Sequence, residues 1–556
     1  MYLINVIPLH RKIPDISLSY ISKDNIKLGT IIDAPIKKSL EQSLVISIQN
    51  VKDEKSYIKS LPWKLISIQK NKDNVILQKK VIDTLFDFCS YSFVNPDVVI
   101  RACLKEFKVQ KLKVKGNIET LTITSSNRKL KKLNNGQDYV STLQNFISNF
   151  TINSPKINKI SIDDAGGLSN YGILYLGFDP VAFIVLLARN LNIPISFING
   201  GQRLRYQEWN LLQNKKQSLF LTNLRIISRE DEDHIIKQYP IAKKIQEIIL
   251  KNTLLGRKIL ILASAKNFAP KTICGDCGQI HICPNCKNHL KLVKNGRNYA
   301  RIYGVSGEYI FVCANCNNGY TALTKCTNCD SWNLLPIGYG IERIIENLEN
   351  LIPKKQHGDI YDFSTSVKQK KLKNWGNKGG IIIGGLNLIN EIELCDICIV
   401  PSLGALLYNG FFESSERVRD ILEYAQNCSQ GMIVSVLKDN EKDFLDLTCT
   451  QWKKQELTDR KTLNYPPYAR HLILTLDPYA SRAEKIQNEI VKILEKFTDP
   501  NTGFAVAIEK DIFGQVKIHA SFPNTHWSIT NSDYSLPLKI KKSLLPFWKY
   551  LKVEVY

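Results

Sequence analysis

Apolar and polar residues alternate through the first part of the chain, as in LVISIQ and VILQKK, and then recur at helical spacing in VIDTLFDFC. A period of two marks a strand with one buried face, and a period of 3.6 marks a helix. Residues 1–105 are therefore expected to form a small β-rich domain with a trailing helix. Within 106–240 a lysine-rich connector (KVQKLKVKG, NRKLKKLNNG) precedes a strand KISID, a helix DPVAFIVLLARNL and a strand PISFI. Residues 241–272 and 338–455 alternate helices with short apolar strands, RKILILA, GGIIIGG, CDICIV and GMIVSVL. That alternation is the signature of α/β units. Residues 273–337 are inserted between those two halves, and 456–556 place the helix SRAEKIQNEIVKILEKF between strands HLILTLD and GQVKIHAS, an α+β pattern. The expected fold class is multidomain α/β.

Length and composition narrow the picture. At about 150 residues per domain, 556 residues imply three or four domains. The longest apolar candidate, 172–199, is broken by Asp179, Pro180, Arg189 and Pro194, so no membrane span is expected. The opening MYLINVIPLHRK lacks the basic-then-apolar order of a signal peptide, which points to a cytoplasmic protein. Lys and Arg number 75 against 52 Asp and Glu, a net charge of +23 that favours polyanionic partners, nucleic acid first. Lysine far exceeds arginine, and a lysine-, isoleucine- and asparagine-rich composition would put such charge on any surface, so charge alone is a partial pointer. Lysine-rich stretches such as LKVKGN and NRKLKKL could track phosphates or be solvated faces, and Trp63, Trp209, Trp332 and Trp375 could stack on bases or pack in cores.

The cysteines are more specific. Eight of the fourteen fall within 56 residues, as four C-x-x-C pairs: Cys274/Cys277, Cys283/Cys286, Cys313/Cys316 and Cys326/Cys329. Two cysteines three apart place both sulfurs on one metal when the turn between them is tight, and Gly275, Pro284, Asn285, Asn315 and Asn328 occupy those turns. Two pairs complete one tetrahedral, closed site, so eight cysteines imply two structural zinc ions, with iron–sulfur clusters the main alternative. His281 and His289 are expected to be surface or packing residues, and Cys395 and Cys398, in the apolar run ELCDICIV, core residues.

Five residues separate the first two pairs, nine separate the last two, and a glycine-rich GYGIER follows at 338–343. This order resembles the PriA family of replication-restart helicases. The resemblance implies that the outer pairs share one zinc (Cys274, Cys277, Cys326, Cys329) and the inner pairs the other (Cys283, Cys286, Cys313, Cys316). The 26 residues between Cys286 and Cys313 suggest a small insertion. VIPLHRK…LSYIS…IKLGTIIDAPI is similar to the family's N-terminal domain, which captures a DNA 3′ end. There Leu18, Ser19 and Tyr20 stand for its Phe-Asp-Tyr, and Gly29 and Pro35 match its glycine and proline, so Ser19, Tyr20 and Gly29 are candidate DNA-binding residues. SSERVRDIL (414–422), RKTLNYPPYARHLIL (460–474) and the final KVEVY resemble segments of its second lobe and C-terminal domain. The implied architecture is a 3′-end-binding-like domain (1–105), a connector with a reduced first helicase lobe (106–240), a second RecA-like lobe (241–272 and 338–455), a two-zinc module (273–337) and an α+β domain (456–556).

The family's ATPase parts do not follow. No phosphate-cradling G-x-x-x-x-G-K-[ST] occurs. KISIDDAGGLSNY resembles the family's Asp-Glu-Glu-His segment, with Asp163 for the magnesium-positioning Asp and the shorter Asp164 for the water-activating Glu, a degenerate pair that also suits a strand end and turn. INGG (198–201), GGLN (384–387) and AQNCSQG (425–431) stand where the family has Gly-Ser-Ala-Thr, Gly-Thr-Gln-Met and its arginine finger. These departures argue against ATP and magnesium as cofactors. The expected function is binding of forked or single-stranded DNA in replication restart and primosome assembly, without ATP-driven unwinding. The expected partners are primosome and single-strand-binding proteins, and the expected state is a monomer. Two alternatives stay open: an active ATP-dependent 3′–5′ helicase with a non-standard nucleotide site, and a zinc-scaffold interaction or chaperone-like module.

Overall fold

LVISIQ becomes part of a four-stranded antiparallel sheet in the computed structural model of the protein, in the order Leu18–Ser22, Tyr2–Pro8, Ser39–Asn50, Ile31–Ile36, whereas VILQKK gives no strand among the described residues, and its Lys79 and Lys80 open the helix that follows. The structure describes residues 1–9, 17–36, 39–60, 64–69, 77–94, 98–99, 118–123, 138–141, 157–163, 178–198, 204, 223–232, 239–285, 289–294, 307–313, 317–364, 368–408, 413–476, 483–498, 506–510, 516–523 and 535–555. Ile4, Val6, Tyr20, Ile32 and Val45 form one apolar core of that first sheet. The helix Lys79–Ser92 follows, burying Val81, Leu85 and Phe88.

A second sheet is wholly parallel, ordered Asp138–Ser141, Ile118–Ile123, Ile157–Asp163, Ile195–Ile198. The last two strands lie where KISID and PISFI placed them. The helix between them, Pro180–Asn190, is apolar on every side and buried from Pro180 to Ala188. Its start follows from sequence: Asp179 accepts from the Val181 N–H at 2.9 Å, and Pro180 takes the first turn, where no N–H is needed. Strands Ile118–Ile123 and Asp138–Ser141 arise inside the stretch that reads as a connector, and KVQKLKVKG and NRKLKKLNNG lie outside the described residues.

The chain divides into two compact units. One comprises Met1–Lys215, Arg460–Ala507 and Ile518–Tyr556, so the N- and C-terminal segments belong together. Within it, Phe88 meets Phe178 and Phe183 edge-on at 5.6 and 5.3 Å, and Arg470 stacks on Tyr91 at 4.0 Å. The C-terminal strands Ala469–Leu476 and Leu551–Val555 pair antiparallel, and the helix Ala483–Glu495 buries Ile486, Ile490 and Leu494 along one face.

The other unit, Lys216–Asp459 with Ile508–Lys517, holds a six-stranded sheet. Its order is Ile360–Asp362, Gly380–Gly385, Lys258–Ala263, Cys395–Val400, Ser429–Val436, Leu224–Ser228, and every pairing is parallel. Parallel sheets are covered on both faces, which explains the near-continuous apolar strands. Alternate residues divide between the faces. Ile259, Ile261, Ile381, Ile383, Ile397 and Ile399 pack with Ile245, Ile249, Ile341 and Ile344 on one side. Leu260, Leu262, Ile382, Cys398 and Val400 pack with Trp375, Val418 and Leu422 on the other. Cys395 and Cys398 are buried, as their apolar run implies. The edge strand Leu224–Ser228 comes from the 106–240 segment and joins this sheet through Met432–Val436. No helix among the described residues is long and apolar enough to cross a membrane.

Phe88 is fully buried at the meeting of two helices, so Phe88→Ala should destabilise its unit by about 3–5 kcal/mol. Urea unfolding of the two proteins should show the transition of that unit at lower denaturant; coincident transitions would contradict the packing described.

Candidate metal centre

The cysteine-rich segment leaves the six-stranded sheet after Ala263 and returns at the helix Ile341–Leu351. Its two ends cross at close range. The Gly340 N–H donates to the Phe268 carbonyl at 3.2 Å, and the Ile341 N–H to the Ala265 carbonyl at 2.9 Å. A Cβ at position 340 would lie 1.5 Å from the Asn267 carbonyl oxygen, so only glycine permits this crossing. Beyond it, Lys271–Cys274 pairs antiparallel with Leu334–Ile337, setting Cys274 opposite Leu334. A second ribbon pairs Leu290–Lys294 with Tyr309–Cys313, and Gly319–Thr321 adds to the latter.

Three of the four cysteine pairs open with the same turn. The N–H of the first cysteine donates to the carbonyl five residues on: Cys274 to Gln279 at 2.8 Å, Cys313 to Asn318 at 2.9 Å, Cys326 to Ser331 at 2.8 Å. The residue four positions on takes a left-handed conformation: Gly278 at φ 73°, Asn317 at φ 57°, Asp330 at φ 55°. Gly, Asn and Asp are the residues that adopt it at least cost. Gly278, Asn317 and Asp330 each stand one residue beyond their pair, so this turn chemistry is visible in the sequence as well as the cysteine spacing.

The outer pairs converge. The sulfurs of Cys274, Cys277, Cys326 and Cys329 all lie within 4.8 Å of one another. Cys274 Sγ is 3.5 Å from Cys329 Sγ, and Cys277 Sγ is 3.7 Å from Cys326 Sγ. Such spacing matches the edges of a tetrahedron of sulfurs about one ion, since metal–sulfur bonds near 2.3 Å put sulfurs about 3.8 Å apart. Cys274 and Cys326 are buried and Cys277 and Cys329 exposed. Side chains lock the two turns together: Asp276 accepts from the Asn333 amide at 2.8 Å and from the Ser331 hydroxyl, and the Gly275 N–H donates to the Asn333 carbonyl at 2.7 Å. The Ser331 hydroxyl holds the Asp276 carboxyl below the usual range.

The thiols titrate as a group. The Gln279 backbone N–H, then Asn328, bring Cys277 down to about 6. The backbone N–H of Cys277 lowers Cys274 as well. At Cys329 the Ser331 backbone N–H favours the thiolate, but the neighbouring Cys277 and Cys274 outweigh it and push this thiol up to about 12. Four thiolates cannot coexist at this separation without a cation among them. A thiophilic divalent ion would supply that charge and displace the remaining protons.

Half of the inner set also comes together. Cys283 and Cys313 are fully buried in one cluster with Ala269, Leu290, Leu292 and Phe311. Cys283 Sγ lies 3.1 Å from the Tyr320 hydroxyl. Cys286 and Cys316 lie outside the described residues. His281 is buried against the Phe311 ring at 4.7 Å, and burial lowers its pKa, as suits a packing residue.

The module is fastened to the sheet by the helix that begins GIER. Glu342 accepts from the Lys294 N–H at 2.7 Å, and Glu346 from the Tyr309 hydroxyl at 2.8 Å and Lys294 Nζ at 3.0 Å. Nothing in the cysteine spacing announces these contacts, because they join residues some 37 to 52 positions apart.

Curated proteins with significant similarity include several replication restart proteins PriA. The replication restart protein PriA of Haemophilus influenzae is 23% identical over 339 residues, 56% of this chain and 44% of that protein. PriA of Borreliella burgdorferi is 23% identical over 274 residues, 46% of this chain and 38% of the relative. PriA of Rickettsia typhi is 23% identical over 372 residues, 62% of this chain and 53% of the relative. The chain is a divergent PriA-type protein. The match spans less than half the length of the first two relatives. No protein-family model matches the chain.

The other positions that resemble the PriA family are placed as follows. Asp163 ends the strand Ile157–Asp163, opposite Ile198, at the carboxyl end of a parallel sheet, where such folds bind ligands. Asp164 lies outside the described residues, as do Trp63, Trp209 and residues 199–201 of INGG. In GGLN, Gly385 precedes a 3₁₀ turn over Leu386–Glu391; AQNCSQG spans the end of the helix Ser414–Cys428 and the start of the next strand. Ser19 donates to Asn5 Oδ1 at 2.8 Å, and the Asn5 amide donates to Ser47 at 2.8 Å. Tyr20 is buried, its hydroxyl donating to the Pro35 carbonyl at 2.8 Å. Gly29, at φ 83°, passes so close to Leu77 that a Cβ would meet its carbonyl oxygen at 2.1 Å. Trp375 is buried and donates to the Gly380 carbonyl, whereas Trp332 is exposed beneath Lys325.

Cys274→Ser removes a buried member of the four-sulfur group, and metal content and solubility should fall together. Full metal content in that variant would exclude Cys274 as a ligand. Because Cys329 is held protonated up to about 12, metal entry near neutrality must expel at least one proton. Affinity should therefore rise about tenfold or more per pH unit, and fall more steeply below about 6, where Cys277 also takes a proton. Competition with a chelator across pH would measure this; a flat profile would contradict it.

Proposed function

We propose that the chain is a PriA-like primosomal protein that binds forked or single-stranded DNA during replication restart and does not drive unwinding with ATP. Its eight paired cysteines hold two zinc ions, one in the outer set and one in the inner set, both structural. The observation that carries this reading is the closed four-sulfur cluster inserted into a parallel α/β sheet, in a chain similar to PriA restart proteins over 56% of its length. Zinc suits a site of four thiolates with no open position, and such a site organises a fold and does no chemistry itself.

The case against a motor rests on the sequence. A phosphate loop needs a lysine after glycine to neutralise the phosphates, and no Gly-Lys pair occurs anywhere in the 556 residues. Asp163 keeps its place at a strand end without the cradle that would put nucleotide beside it. The net charge of +23 supplies the attraction for a polyanion, and the N-terminal sheet, with Ser19 on its Leu18–Ser22 strand, is the proposed 3′-end domain. The protein acts in the cytoplasm, with primosome and single-strand-binding proteins as partners.

The test is binding to a synthetic fork with a free 3′ leading-strand end, against plain duplex, across a salt series. Fork binding should persist at salt that strips the protein from duplex; equal, salt-labile binding to both would overturn fork recognition. ATP turnover with forked DNA and magnesium should stay at background. Turnover that Asp163→Ala abolishes would show a working motor.

A further inference from the structure

The two turns that bring the outer cysteines together are joined by a carboxylate that is not one of the four ligands. Asp276 stands between Cys274 and Cys277 on the first turn, and Ser331 and Asn333 follow Cys329 on the second. Asp276 Oδ1 accepts from the Asn333 amide at 2.8 Å, and Oδ2 accepts from the Ser331 hydroxyl. Ser331 Oγ in turn accepts from the Asn333 N–H at 3.0 Å. The Gly275 N–H donates to the Asn333 carbonyl at 2.7 Å. A Cβ at position 275 would stand 2.5 Å from Asn333 Nδ2, so the amide fills the space beside the first turn. These contacts reach the sulfurs through the main chain. The backbone N–H of Asp276 is directed at Cys274 Sγ, and that of Ser331 at Cys329 Sγ. Those two sulfurs lie 3.5 Å apart. The residues whose side chains meet are thus the residues whose N–H groups hold this pair of ligands.

We infer that Asp276 is a positioning residue for the outer metal site: its carboxylate, shared by Ser331 and Asn333, fixes the two turns against each other and raises the site's affinity for zinc without touching the ion. The ribbon of Lys271–Cys274 with Leu334–Ile337 brings the two chain segments side by side. Beyond it the turns are exposed, from Gly275 to Gly278 and from Thr327 to Asp330, and their relative orientation is what the carboxylate sets. Without it the ion would have to order both turns as it binds, and that ordering subtracts from affinity. Partners that orient metal ligands in this way account for about 10–100-fold in metal affinity. The effect is confined to one site, because Cys283 of the inner set has a different neighbour, the Tyr320 hydroxyl at 3.1 Å. This inference rests on the two-zinc reading proposed above and names a residue that sets the affinity of one of the two ions.

The test loads the full chain with zinc and titrates it with a chelator while a chromophoric indicator reads the released metal. Wild type should release two ions per chain. Asp276→Ala should release one of them at roughly 10- to 100-fold lower chelator strength and leave the other where it was. Asn333→Asp, which sets a second carboxylate against the first, should shift the same ion. The double variant Asp276→Asn with Asn333→Asp exchanges amide and carboxylate, keeps a donor facing an acceptor, and should return that ion toward its wild-type value. A merely structural loss would move both ions and would not be repaired by the exchange. Unchanged release from Asp276→Ala, an equal shift of both ions, or no recovery in the exchanged pair would overturn the inference. Wild type that takes up fewer than two ions would instead defeat the two-zinc reading on which it rests.

Discussion

Four sulfurs within 4.8 Å of one another are the constraint around which the cysteine module is arranged. Placed there as thiols they compete for protons, one drawn down to about 6 and another driven up to about 12. Placed there as thiolates they repel one another unless a cation sits between them. Among the described residues the ribbons of the module bury two small apolar clusters, to which an ion held by the four sulfurs would add stability. Everything else nearby serves that convergence. Left-handed turns follow Cys277, Cys316 and Cys329, Asp276 ties the Cys274 turn to the Cys326 turn, and the Lys271–Cys274 ribbon keeps Cys274 in register with Leu334.

The module is tied down where it joins the sheet. Its entry and exit cross with no space for a side chain at Gly340, and the helix immediately after that glycine reaches back to it through Glu342 and Glu346. Metal site, crossing and helix therefore form one connected structure with the six-stranded sheet. A protein that had lost its motor would still have a reason to keep this sheet, as the platform that positions the module.

The parallel sheet was legible because its strands, buried on both faces, leave no ambiguity: RKILILA, GGIIIGG, CDICIV and GMIVSVL all became strands. The helix Pro180–Asn190 was equally clear, with Asp179 and Pro180 marking its start. Strands Ile118–Ile123 and Leu224–Ser228 were hidden. The first has three polar residues in six and is framed by lysine-rich sequence, so its pairing with Ile157–Asp163 is what makes it a strand. The second is an edge strand whose membership depends on Met432–Val436, some two hundred residues away. At the metal centre, ligand types and spacing were visible in the sequence. The carboxylates that fasten the module were not, because nothing in GYGIER itself names the partners Lys294 and Tyr309, which the fold brings against Glu342 and Glu346.

X-ray absorption at the metal edge of the purified full chain tests the central claim most directly. The account predicts two zinc ions per chain, each with four sulfur neighbours at about 2.3 Å and no nitrogen or oxygen in the first shell. A single ion per chain, or a shell containing histidine nitrogen or water oxygen, would contradict two closed tetrathiolate sites.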